Sequence, residues 1–234
     1  MMKRIGFLFA AGTAFLWLFL FDLYRDSSVT AMYPTPFEKQ LLILDAGHGG
    51  EDGGAVSLSG ALESNLNLAV AKRMDGVLGL FGVRTLLLRE EDISLHDPGA
   101  QTLRQKKSSD LRNRVAMVEA QQNAVLISIH QNSYPDGRYR GAQTFYAPTE
   151  GSRILAQTIQ QTLCTALDPD NHRIEKQIPD TIYLMNHVTC PAVLVECGFL
   201  THPQEERLLC SGGYQTKLAT VLAGGYLQSI TQEE

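Results

Sequence analysis

Apolar positions along this chain follow two periods. Short apolar runs at Leu41–Asp45, Val83–Leu88, Ala124–His130, Ile182–Met185 and Ala192–Glu196, and the short alternating run Gln143–Tyr146, read as strands. Between them, apolar residues return at helical spacing. Leu66, Ala69, Val70, Met74, Val77 and Leu78 mark a helix from about Glu63 to Leu80. Leu111, Val115 and Val118 mark another, capped by Ser108 or Ser109 and running to about Gln121. Ile154, Leu155, Ile159 and Leu163 mark a third over Ser152–Leu167. Pro203 opens a short helix to Leu209, and Gly212–Ile230 forms the last. Polar stretches at Arg89–Ser108 and Asp168–Pro179 read as loops; the basic cluster Arg104, Lys106 and Lys107 then lies on a solvated loop, with an acidic ligand as the sharper alternative. Strands alternating with helices predict an α/β fold, a mostly parallel or mixed sheet with helices on both faces.

The N-terminus breaks this pattern. Lys3 and Arg4 precede an uncharged apolar run from Ile5 to Phe21. As a helix it would reach about 26 Å, close to the hydrocarbon thickness of a bilayer. Basic residues before it and none inside it place the rest of the chain outside the cytoplasm. Residues 1–25 are therefore expected to be a retained anchor helix or a cleaved signal peptide, with Val29-Thr30-Ala31 as a weak cleavage site. Residues 26–40, with Pro34 and Pro36, read as a linker, and 41–234 as one domain.

The ends of three strands carry reactive side chains. The first runs into Asp45-Ala46-Gly47-His48-Gly49-Gly50, where the glycines let the backbone turn and His48 project. Another ends on His130 and another on Glu196. In an open α/β sheet, sites are built outside the carboxyl ends of the strands. Glu63 opens the helix after a glycine-rich loop and can return to the same edge; alone, it would be an acid favoured by the helix dipole. His48, Glu63 and His130 form a His₂Glu set of the kind that holds catalytic zinc. Glu196, between apolar neighbours, would have the raised pKa of a proton carrier. The chemistry suits amide hydrolysis. The spacing is not H-E-x-x-H, so spacing alone says little. His96 and His172 read as surface residues, whereas His187 and His202 stay open.

Composition narrows the partners. A net charge of −5 argues against a nucleic-acid role, and 44% apolar residues suit a globular core. Cys164, Cys190, Cys197 and Cys210 form no C-x-x-C pair. Cys190 and Cys197 are too far apart along a strand to pair, so the four are expected to be small core residues, with a Cys164–Cys210 bridge left open.

The motifs resemble those of the zinc-dependent N-acetylmuramoyl-L-alanine amidases. The matching stretches are Leu44-Asp45-Ala46-Gly47-His48-Gly49-Gly50, Glu63, Ser128-Ile129-His130-Gln131-Asn132 and Pro191-Ala192-Val193-Leu194-Val195-Glu196-Cys197-Gly198-Phe199-Leu200. The resemblance implies a twisted mixed sheet, Zn²⁺ on His48, Glu63 and His130, and Glu196 as acid/base. It implies a peptidoglycan substrate cut between the muramoyl lactyl group and L-alanine. Asn132 and His202 are the candidate substrate contacts; His202 departs from the asparagine usual in the family. The apolar N-terminus, the lone domain, Asp110-Leu111-Arg112-Asn113-Arg114-Val115 and Gly141-Ala142-Gln143-Thr144-Phe145-Tyr146 are most like the membrane-anchored branch of spore formers. That branch implies spore-cortex peptidoglycan, with muramic-δ-lactam to follow, an extracytoplasmic site on the cortex side of the forespore, and room for an activating protein partner. Two other readings compete: a non-catalytic peptidoglycan-binding regulator, and a zinc peptidase cutting within the stem peptide.

Overall fold

A computed structural model describes residues 40–231. The expected anchor and all but the last residue of the linker lie outside the described residues. Among the described residues, no helix is long and apolar enough to cross a membrane.

The chain alternates strands and helices: β1 (Leu41–Ala46), α1 (Glu63–Gly79), β2 (Arg84–Leu87), α2 (Leu103–Glu119), β3 (Ala124–Asn132), β4 (Gln143–Tyr146), α3 (Ser152–Ala166), β5 (Lys176–Gln177), α4 (Tyr183–His187), β6 (Ala192–Phe199), α5 (Pro203–Leu209) and α6 (Gly212–Thr231). The strands form one mixed sheet in the order β2-β1-β3-β6-β4-β5. The strands β2, β1, β3 and β6 run parallel; β4 is antiparallel to β6, and β5 pairs parallel with β4. The chain leaves β1 toward β2 on one side and returns to β3 on the other, so β1 and β3 bracket a switch point, where crevices open at strand carboxyl ends.

Two apolar cores cover the two faces. Leu42, Leu44, Val125, Ile127, Ile129, Val193 and Val195 pack in one core with side chains of α1, α3 and α6. Ile43, Leu126 and Leu194 pack in the other with Val118 of α2 and with Leu184 and Met185 of α4. Burial on both faces explains why β1, β3 and β6 read as nearly continuous apolar runs. Side chains alternate along a strand, so Asp45, Ser128, His130 and Glu196 share the face of the second core. The register pairs Asp45 with Ser128 and His130 with Glu196. A slip of one residue in β6 would turn Glu196 to the opposite face.

Three expectations are corrected. The stretch Ile182–Met185 is not a strand: Tyr183–His187 is a short helix, begun by Ile182 N–H donating to Pro179 O and secured by Asn186 Nδ2 donating to Pro179 O and Ile182 O. A short apolar run has no period of its own, and the turn at Pro179 decided the outcome. Helix α2 starts at Leu103, not near Ser108. Thr102 Oγ1 accepts from Gln105 N–H while Gln105 Oε1 accepts from Thr102 N–H, a capping box that places Lys106 and Lys107 on the helix. Ser109 is buried and bonds Asp97 instead. The four cysteines are all free, and only Cys197 is buried.

Candidate active site at the carboxyl ends of β1, β3 and β6

His48 follows β1 with φ of 62°, a left-handed conformation uncommon outside glycine. Buried arginines hold that turn. Arg114 donates to Ala46 O and His48 O, and Arg89 donates to Ala46 O, Gly47 O and Ser64 O. Arg114 also pairs with Asp45 and Asp110, and Ser128 Oγ donates to Asp45 at 2.6 Å. Burial favours a neutral Asp45, but the Arg114 charge and the Ser128 hydroxyl override it and hold the carboxyl below its usual range. This network keeps the ends of β1 and β3 in one geometry.

Glu63 sits at the start of α1 and is 4% exposed. Its Oε2 lies 3.3 Å from His48 Nε2, and its Oε1 3.1 Å from His130 Nδ1. Ala55 N–H, Gln131 N–H and Asn67 Nδ2 also donate to it. Burial works against its charge, but the two histidines win, and the carboxyl stays well below the carboxylate range. His48 Nδ1 lies 3.1 Å from Asp52, which Lys107 meets at 3.3 Å from the α2 side. Burial opposes protonation of His48, yet bonds to Asp52 and Glu63 raise its pKa to about 9. Two glycines leave room for the group. A Cβ on Gly47 would stand 2.2 Å from the His130 ring, and one on Gly54 2.5 Å from Glu63 Oε2.

One ligand atom from each of His48, Glu63 and His130 lies within 4.8 Å of the others. A set of two imidazoles and one carboxylate, with the far nitrogen of His48 held by an acid, fits a divalent ion of intermediate softness. Glu196 faces the same space from β6. Its Oε2 is enclosed and, among the described residues, has no hydrogen-bond partner. Burial raises its pKa to about 7, with the Glu63 charge adding to the effect and both histidines opposing it.

These groups lie in a cleft of about 360 Å³, with Ile182, Leu184 and Met185 along its apolar side and Asn132 at its lining. The structure thus brings His48, Glu63, His130 and Glu196 into one cleft, with Asn132. It places His202 elsewhere: His202 caps α5, its Nδ1 accepting from Glu205 N–H, and it does not line the cleft. Sequence reasoning missed Asp52 and the apolar side. Asp52 stands four residues after His48 in a glycine-rich loop, and no helical period advertised that the two would meet.

A mixed α/β sheet with a His-Glu-His group and a sheltered acid toward the carboxyl ends of its parallel strands defines a hydrolase-type centre whose residues could hold a metal ion. The N-acetylmuramoyl-L-alanine amidase family profile matches residues 42–228, and the chain belongs to that family. It is 37% identical over 219 residues to the germination-specific N-acetylmuramoyl-L-alanine amidase of Bacillus subtilis (strain 168), covering 92% of this chain and 91% of that one. Among solved structures, it matches the CwlD amidase from Clostridioides difficile in complex with the GerS lipoprotein, with TM-score 0.79 and 35% identity over 83% of this chain and all of that one. A second amidase, from Clostridium difficile 630, matches with TM-score 0.72 and 27% identity over 84% of this chain and all of that one. The protein is an N-acetylmuramoyl-L-alanine amidase acting on peptidoglycan.

Proposed function

We propose that this amidase is a zinc enzyme of the spore cortex, that His48, Glu63 and His130 hold the ion, and that Glu196 carries the proton. When bound, zinc would polarise the scissile carbonyl and bring the pKa of water toward 7. The chain's own residues supply the rest. Asp52 and Glu63 hold the His48 ring between them. Glu196, ionised in part near neutral pH, takes a proton from the attacking water and gives it to the nitrogen of L-alanine as the lactyl–amide bond breaks. The products are a muramic acid residue with a free lactyl carboxylate and a peptide with a free L-alanine amino terminus. The apolar side of the cleft keeps Glu196 poorly solvated, which holds its pKa near the working pH. The observation that carries this reading is the unpartnered Glu196 Oε2 facing the His-Glu-His group across one cleft.

The cortex assignment is supported by likeness to the germination-specific Bacillus subtilis amidase, and a lipoprotein partner by the complex of the Clostridioides difficile amidase with GerS. Action outside the cytoplasm, with residues 1–25 as anchor or signal, agrees with the basic and apolar order of the N-terminus. Digestion of purified cortex peptidoglycan, followed by mass spectrometry, tests the reaction. L-alanine-ended peptides are expected, and their release should stop with a chelator and return with zinc. Shortened peptides still attached to muramic acid would mean a peptidase; no products would mean a binding module.

A further inference from the structure

Beyond the cleft, four side chains form a ladder that the reaction does not use. It begins at Phe199, 4% exposed and three residues past Glu196, whose ring carries the Arg173 guanidinium 5.2 Å from its centroid. Tyr139 follows, 6.4 Å from Phe199 by ring centroids, and Tyr134 stands edge-on to Tyr139 at 4.6 Å. Tyr134 and Tyr139 are 48% and 47% exposed. The ladder starts where the cleft ends. Asn132 and Ser133 line the cleft, Tyr134 is the next residue, and Asn132 pairs with Phe199 in the sheet.

The loop that carries the two tyrosines is tied down. Tyr134 N–H donates to Thr201 Oγ1, and Tyr139 N–H donates to Asp136 O. Arg138 forks onto the Asp136 carboxylate, with its Nη2 at 2.7 Å. Gly137 passes so close to the α5 side that a Cβ there would stand 2.9 Å from Thr201 O. Exposed aromatic rings held in one arrangement lose little freedom when something binds them. Beside them is a recess of about 270 Å³ lined by Asp136, Arg138 and Tyr139.

A sugar ring has an apolar C–H face and a rim of hydroxyls. An aromatic ring suits the first; a carboxylate and a guanidinium suit the second, as acceptor and donors. The substrate of this family is an amide on a sugar within a glycan strand, so the strand must leave the cleft along some surface. We propose that Tyr134 and Tyr139, with Asp136 and Arg138, form a stacking subsite for a glycan sugar next to the muramoyl residue whose amide is cut. The subsite rests on the amidase activity and does not depend on which metal serves it.

The test compares one peptide carried on a single muramoyl sugar with the same peptide carried on a longer glycan chain. The full-length enzyme should show the lower KM on the chain. In Tyr134→Ala and Tyr139→Ala, KM on the chain is expected to rise about tenfold, the loss of one anchoring aromatic contact, with kcat unchanged. Kinetics on the single sugar should not move, and Tyr139→Phe should behave as the parent. A peptide-free N-acetylglucosamine oligomer should compete with the chain in the parent and not in the alanine variants. Equal losses on both substrates, or no loss on the chain, would overturn the subsite. Thermal melting checks the fold; should Tyr139→Ala unfold, Tyr134→Ala, at the exposed end of the ladder, still decides the matter.

Discussion

The two sides of the cleft obey opposite rules. On the β1–α1 side, both carboxylate oxygens of Glu63 and both ring nitrogens of His48 have partners, and the carboxyl of Glu63 is held low. On the β6 side, Glu196 keeps an enclosed oxygen with no partner among the described residues, and its pKa is raised to about 7. Both glutamates are sheltered from solvent. The same burial therefore yields two different acids, according to whether charges and donors are present to offset it. On the proposed reading, the paired side stays charged and holds the cation, and the unpaired side exchanges the proton.

The sharpest way to separate the two sides is to remove one acid from each. Glu63→Ala is expected to lose bound metal and amide hydrolysis together, measured by elemental analysis and peptide release. Glu196→Gln is expected to keep its metal while kcat falls on the order of 10²–10⁴-fold. Metal loss in Glu196→Gln would mean that the two sides are not separate.

Next in size is the support behind the paired side. Arg114→Leu leaves Asp45 and Asp110 without their cation and takes the arginine donor from the His48 carbonyl, while Ala46 O keeps Arg89. Breaking a buried pair by removing one member costs about 3–5 kcal/mol. Urea unfolding should show that loss, and a variant as stable as the parent would contradict the role of the network.

A smaller effect is expected where an acid acts through a histidine. Asp52→Asn should weaken metal binding about 10–100-fold while leaving Glu196 in place. Competition with a chromophoric chelator measures it.

The smallest effect is a pH dependence of the metal-free protein. Folding raises the His48 pKa from 6.5 to about 9, so its bonds to Asp52 and Glu63 contribute fully below pH 6.5. That contribution is lost as pH rises through about 9. The urea midpoint of chelated protein should fall across that window, and the fall should shrink in Asp52→Asn.

Much of the domain was legible because burial on both sheet faces forces long apolar runs, and those runs mark β1, β3 and β6 in one dimension. The same runs showed that His48, His130 and Glu196 would fall toward the carboxyl ends of strands, although β3 runs on to Asn132 and β6 to Phe199. Legibility failed where no period exists. The helix Tyr183–His187 is decided by a turn at Pro179, and the start of α2 by the exchange of bonds between Thr102 and Gln105. His202 looked like a site residue by position near β6, but a histidine before Pro203 found a nearer partner in the Glu205 amide.

What the amino-acid order determined alone is which runs would form the central strands and which reactive groups would fall toward their carboxyl ends, because local periodicity and strand alternation are properties of neighbours. What only the tertiary structure decided is how those groups are charged. Parallel pairing set His130 beside Glu196, and the return of α1 brought Glu63 between two histidines. An acid's pKa depends on dielectric and on charges within a few ångströms, and residues so far apart in the chain become neighbours only after the sheet has formed.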